Sequence, residues 1–489
     1  MKGLTDFADW LSPMLVKELR QGVRSRVFVY TLLFLQGSLL LLAIHGLLAA
    51  DAQQNTDDST VIFWIIAGVF LILFLPLSGF NAIGNERTSN TLELIFLTRL
   101  GTRRIVIGKW LAIVAQTNLL VFTVLPYLVL RYFLGGVDLW KELLTLGWML
   151  IGSAVLSAVT VGFSTLPPVF ASILRVAGLF AGMFVLAGGV MSRLSRGTMS
   201  LTGSFAGTWK EGIAAMIGAI FLILLMLEFG SARVAPPAEN HTSPLRFIGL
   251  GAIAAGIILD HALFHSEPEY VFAGFIFALP VLLFALCESP RMIASLYRPF
   301  VRRGFLGKCA GRLFYPGWPS ATWYVLTAVL ALGLTLYFGE PAHNRKDALS
   351  FVIAITGIAG TLLFPAALMR LLGRRLRHPW VLYIGIQALF GLLHAFAAVL
   401  QEFKRIDIHP ILDAIPTCAL LNAYSEGFHD IFLQLFLVGA TTSLSIIVLL
   451  WQSRSPWMEI RALEKKADGM KDVPREPGPS VPAASAAAS

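Results

Sequence analysis

Long apolar runs, each closed by a short polar or charged patch, recur from one end of the chain to the other. Their length, about 17 to 25 residues, is what an α-helix needs to cross the hydrocarbon core of a bilayer. About twelve spans are predicted. The first six run near Val27–Ala50, Val61–Phe80, Ile105–Leu130, Leu143–Leu166, Ile173–Met191 and Gly212–Phe229. Six more follow near Phe247–Leu263, Tyr270–Cys287, Ala321–Phe338, Leu349–Met369, Val381–Leu400 and Ile431–Trp451. Asp260 and His261 interrupt the seventh, a break that would let it pair with the eighth as a hairpin.

Between the second and third spans the pattern changes. Residues Asn81 to Trp110 mix charge with helical periodicity: Leu92, Ile95, Phe96 and Leu100 fall on one face of a helix over Thr88 to Leu100. Ser89 or Asn90 caps its start, where Glu93 suits the helix dipole, and Arg99, Arg103 and Arg104 crowd its end. Two readings fit this pattern. The helix is an anchor lying in the headgroups, or it is a surface that docks a partner.

Composition places the chain in a class. Hydrophobic residues make up 56% and charged residues 14%, far from a soluble globular profile. The expectation is an all-α, polytopic membrane protein. Cys287, Cys309 and Cys418 are scattered without paired spacing, so neither a disulfide framework nor a zinc site is indicated. Residues 1–26 do not read as a cleaved signal peptide. Ser12-Pro13 instead opens an interfacial helix through Lys17, Glu18 and Arg20 that ends in Arg24 and Arg26. With that end inside, about three-quarters of the 38 Lys and Arg residues fall in cytoplasmic segments. Arg24, Arg26, Arg103 and Arg104 are then placed at the membrane surface. The net charge of +9 reads as orientation and lipid contact, with no nucleic-acid patch.

The letters around the amphipathic loop carry a resemblance. Glu86-Arg87, Thr91-Leu92-Glu93-Leu94, Thr98, Ile105 and Gly108-Lys109 resemble the segment after the second span in ABC-transporter permeases of the type-2 exporter class. SPMLVKELRQGVRSR looks like the entry to the same family, and GFSTLPPVFASILRVAGLF also fits it. The likeness covers residues 12 to about 230 and is sharpest in the loop. It implies a permease of a bacterial inner membrane whose cytoplasmic coupling segment, 81–104, docks into a separate ATPase subunit. Glu86 and Arg87 would make the electrostatic contact, with Leu92, Glu93, Ile95 and Phe96 completing the docking face. ATP and magnesium would belong to the partner, leaving this chain without a cofactor or enzymatic activity of its own.

The implied organisation is an interfacial helix at 1–26, a six-span domain at 27–230, a linker at 231–246 and a second six-span half at 247–452. A cytoplasmic, partly disordered tail follows at 453–489, charged and then Pro-, Ala- and Ser-rich beyond Arg461. Glu288 and Arg291 open a long basic loop, Glu288 to Ser320, that faintly echoes Glu86 and Arg87. An internal duplication, or a second permease chain, would complete the membrane part. Gln401 to Asp430 reads as an amphipathic cap over the outer face.

Catalytic chemistry is sparse. Gly101 to Lys109 superficially looks like a phosphate loop, but its glycines are too far apart and Trp110 stands where a hydroxyl residue would hold magnesium. His261, His265, Glu267 and Glu269 lack a helix to present them to a metal. Gln36, His45, Gln116, Asn118, Glu228 and His394 lie within spans, where helix–helix bonding and substrate contact are both open roles. A non-transporting membrane scaffold that anchors a cytoplasmic complex is the alternative function, and an intramembrane lipid enzyme ranks last.

Overall fold

A computed structural model describes residues 13–51, 57–84, 101–134, 138–166, 172, 176, 209–236, 239–264, 269–339, 345–372, 379–404, 409–426 and 431–469. These residues are mostly helical, with no strand among them, and eleven of the helices are long and apolar enough to span a membrane. The chain is therefore a multi-pass helical membrane protein. The expected fifth span, Ile173–Met191, falls almost wholly outside the described residues.

The chain separates into two compact units. The first comprises Met1–Pro236, Pro244–Val281 and Phe338–Glu340; the second comprises Pro237–Ser243, Leu282–Tyr337 and Pro341–Ser489. The first unit opens with α1 (Pro13–Val23), α2 (Arg26–Asp51) and α3 (Asp57–Gly68). From α3 the chain runs on through a π-helical turn at Val69–Phe74 and a 3₁₀ turn at Ser78–Asn81. Then come α4 (Thr102–Leu134), α5 (Leu139–Phe163), α6 (Trp209–Val234), α7 (Thr242–Leu259) and α8 (Glu269–Cys287). Leu35, Leu39, Trp64, Leu71, Leu120, Val124 and Met149 form a core shared by α2 to α5.

Small residues set the closest helix approaches. A Cβ on Gly162 would lie 2.7 Å from the Met226 carbonyl oxygen, and one on Gly230 would lie 3.2 Å from the Gly162 Cα. Gly256 and Gly274 play the same role between α7 and α8, which pack as a hairpin. Trp148 meets Gly212 and, further along both helices, Gly162 meets Gly230. The two helices thus run in the same direction. The chain leaves α5 at one side of the unit and enters α6 at the other.

In the second unit, α9 (Ala294–Val301) and α10 (Gly304–Phe314) form short amphipathic helices from the basic stretch after α8. The spans α11 (Trp318–Gly339), α12 (Arg345–Leu372) and α13 (Pro379–Lys404) follow. After α14 (His409–Leu412) and α15 (Pro416–Glu426), the chain ends its described course in α16 (Ile431–Gln452) and α17 (Arg454–Gly469). The charged stretch beyond Arg461 is thus helical as far as Gly469, with Ile460 and Ala467 buried.

Of the expected cap at Gln401–Asp430, residues 401–404 and 409–426 are described, and they include a helix that lies against a span. Helix α15 packs alongside α12, with Leu420 against Gly357 and Pro416 against Gly360, near the middle of that 28-residue helix. Cys418 is buried and its thiol donates to the Phe390 carbonyl of α13. The two glycines of α12 let α15 approach it closely at these points.

Proline shapes this region too. Pro365 in α12 has no N–H, so the Thr361 carbonyl four residues earlier loses its helical donor. The Gln387 amide of α13 donates to that oxygen at 2.6 Å, and the Tyr383 hydroxyl donates to the neighbouring Leu362 carbonyl at 2.8 Å.

Candidate functional site

Glu86, Arg87, Leu92, Glu93, Ile95 and Phe96, the residues expected to dock a partner, lie outside the described residues. Their flanks are described. Helix α4 begins at Thr102, immediately after that stretch, and extends for 33 residues. At 1.5 Å per residue this is about 50 Å, well beyond the hydrocarbon thickness.

Three ionic contacts tie α4 to its neighbours. At its start, the Arg103 guanidinium donates to the Glu228 carboxylate of α6 at 2.6 and 2.8 Å. Glu228 is only 3% exposed while Arg103 is half-exposed, so the pair sits at the edge of the packed bundle. Two turns further, the Lys109 ammonium, 4% exposed, lies 3.2 Å from Glu18 of α1. The Gln116 amide packs against α1 at Gly22, and a side chain there would have to displace it. At the far end, Arg131 donates to Glu142 of α5 at 2.8 Å, and the indole N–H of Trp64 donates to the same carboxylate at 3.3 Å. Arg131 also lies over the Phe63 ring, 4.4 Å from its centroid.

The sequence marks Glu228 and Arg103 separately, but nothing in their spacing pairs residues 125 positions apart. Lys109 belongs to the string that superficially resembles a phosphate loop; its side chain is inside a helix and engaged with Glu18. Of the expected surface cations, Arg24, Arg26, Arg103 and Arg104 are all exposed. Gln36 donates to the Thr123 carbonyl across α2 and α4, a helix–helix bond, while His45 and Asn118 are exposed. Among the described residues, no group of three His, Cys, Asp or Glu side chains is placed to hold a metal.

The second unit carries a folded basic surface. Glu288 organises its entry: its carboxylate accepts from the Thr242 hydroxyl at 2.5 Å and the Gly317 N–H at 3.0 Å, while its carbonyl accepts from the Trp318 N–H. Gly317 adopts φ 115°, and a Cβ there would lie 2.7 Å from Pro290, so glycine is required at this turn. Tyr297 and Tyr315 stack edge to face between α9 and α10, and the Tyr315 hydroxyl donates to Glu464 of α17 at 2.8 Å. Burial, with Glu288 and Glu464 nearby, pushes the Tyr297 phenol up to about 12. Burial and the bond to Glu464 push Tyr315 higher still. The hydrogen bond to Asp468 raises Lys308. Arg302, Arg303 and Arg312 face outward beside the exposed Phe305 and Leu306.

The fold and these contacts define a helical, multi-pass membrane protein with ionic ties at both ends of its longest helix. No family model, curated protein or solved structure matches the chain.

Proposed function

We propose that the chain is the membrane-spanning permease subunit of an ATP-driven exporter of the ABC type. It would couple to a separate cytoplasmic ATPase through residues 81–104. The observation that supports this reading is the set of ties on α4. The docking stretch feeds directly into α4, and α4 is joined to α1, α6 and α5 by Lys109–Glu18, Arg103–Glu228 and Arg131–Glu142. A push on the loop is then shared by four helices instead of bending one. The likeness of residues 86–109 to the type-2 exporters supplies the identity of what pushes.

The test is gentle purification of the tagged protein from its native cells, with mass spectrometry of the accompanying proteins. An ATPase subunit should appear in fixed ratio, and the ratio reports whether one chain or two form the membrane part. Replacing Glu86 and Arg87 together with alanine should abolish recovery of that subunit and its coupling while leaving membrane insertion intact. Unchanged coupling in a well-expressed double variant would sink the mechanism.

The alternative, a membrane scaffold for a cytoplasmic complex, draws on the second unit. Helices α9, α10 and α17 form a folded, basic platform that suits an anchoring role. Recovery of a complex without an ATPase would favour it.

A further inference from the structure

The first unit contains a cavity of about 800 Å³ between α5, α6, α7 and α8. Its body is apolar, walled by Ile151, Val155, Phe221, Ala252 and Phe277 among others. Gly152 and Gly218 also line it; a Cβ on Gly152 would meet open space and one on Gly218 only the Phe277 ring, so the missing side chains there leave room. Gly256 and Gly274, by contrast, bring α7 and α8 together along its wall. All four helices belong to candidate membrane spans, so the medium beside the cavity is hydrocarbon.

The cavity has a polar end and a measurable depth. On α5 it reaches from Trp148 to Val159 and on α6 from Glu211 to Leu222. Each stretch rises about 16 Å along its helix. That is half of the roughly 30 Å hydrocarbon core, the depth of one leaflet. Glu211, exposed in the first turn of α6, and Tyr270, in the first turn of α8, stand together at the shallow end. The same end is braced. The Lys210 ammonium donates to the Leu263 carbonyl at 2.7 Å, and Phe264 stacks on Tyr270 with ring centroids 3.8 Å apart. An acid and a base adjacent in sequence thus sit at headgroup level above an apolar slot one leaflet deep.

We propose that this cavity holds one membrane phospholipid with an ammonium headgroup. One of its acyl chains would lie along Gly152 and Gly218, its ammonium against the Glu211 carboxylate, and its phosphate on the Lys210 side. The inference stands independently of the exporter reading, because it concerns binding by this chain alone.

The experiment uses the full chain in phosphatidylglycerol nanodiscs doped with phosphatidylethanolamine carrying a diazirine in one acyl chain. After photolysis, the labelled peptides are mapped by mass spectrometry. Adducts should concentrate on residues 148–159 and 211–222. Gly152→Trp, at a position where a Cβ meets open space, should cut them by about tenfold or more. Gly385→Trp, equally unobstructed in α13 of the other unit, should leave them unchanged. Glu211→Gln should remove the preference for the ethanolamine probe over a phosphatidylglycerol probe while keeping the adduct positions, which separates headgroup selection from a merely greasy slot. Adducts no denser here than on the exposed face of α2, or unmoved by Gly152→Trp in a protein that melts normally, would overturn the proposal. So would a photoreactive residue at Ala219 cross-linking to residues 167–208, since the chain itself would then be the occupant.

Discussion

Both units bond their spans through neutral groups, as Gln36 does with the Thr123 carbonyl and Ser153 with Thr117, but among the described residues the ion pairs that join one span to another lie in the first. In the first, paired ions near helix ends join α4 to its neighbours, as in Arg131–Glu142 and Arg103–Glu228. In the second, neutral groups join helices midway along their length. Gln387 and Tyr383 serve the carbonyls before Pro365, Thr442 donates to the Thr356 carbonyl, and Thr417 donates to Gln387. The contrast follows from depth. A helix end lies near polar headgroups, where a charge costs less to place, whereas the middle of the bilayer penalises ions and favours amides and hydroxyls. Ionic ties are therefore strong but costly to break on one side, and neutral ties are weaker and more forgiving.

The sharpest way to break this contrast is Glu142→Ala. It takes the shared carboxylate away from the partly buried Arg131 guanidinium and the Trp64 N–H together. Loss of one partner of a buried pair costs about 3–5 kcal/mol. Thermal melts of the purified protein should fall accordingly, and a melt unchanged from wild type would show the pair to be well hydrated. Gln387→Leu is the matching cut in the second unit. It leaves the Thr361 carbonyl without its closest side-chain donor, at a cost of about 1–3 kcal/mol. A loss as large as that of Glu142→Ala would erase the distinction between the units.

The smallest effect is expected at the surface platform. Tyr315→Phe removes the donor to Glu464 and should cost about 1 kcal/mol. Amide exchange in α17 should rise before the global melt moves. The pH dependence has a defined sign. Both phenols are raised from an ordinary value of 10, Tyr297 to about 12 and Tyr315 further. Their contribution is complete below pH 10 and is lost as pH climbs through those raised values. Exchange in α17 should stay flat from pH 6 to 9 once corrected for intrinsic rates, and loosen only in strongly alkaline solution. Loosening near neutrality would place the control elsewhere.

The spans are legible in the sequence because a helix of about twenty apolar residues is at home in hydrocarbon and costly to expose to water. Even the interruption at Asp260-His261 is visible there, and the structure turns it into a π-helical close to the seventh predicted span. Partnerships are not legible. Glu228 reads as a lone acid and Arg103 as a lipid-facing base until folding joins them. Helix α15 escapes for a related reason. Its eleven residues are too short to register as a span, and its close approach depends on Gly357 and Gly360, which lie one turn apart on another helix. The proposed docking role of residues 86, 87, 92, 93, 95 and 96 rests on the sequence pattern alone.

Pro365 has a mechanical consequence. A proline inside a membrane helix commonly serves as a joint, since the missing bond lets the two halves flex. Here the vacated acceptor is gripped by a side chain from α13, with a second α13 side chain on the next carbonyl. Flexing at that joint would strip both oxygens of their donors inside hydrocarbon. The splint therefore converts a hinge into a weld, and α12 and α13 should travel as a single plank whenever this unit moves.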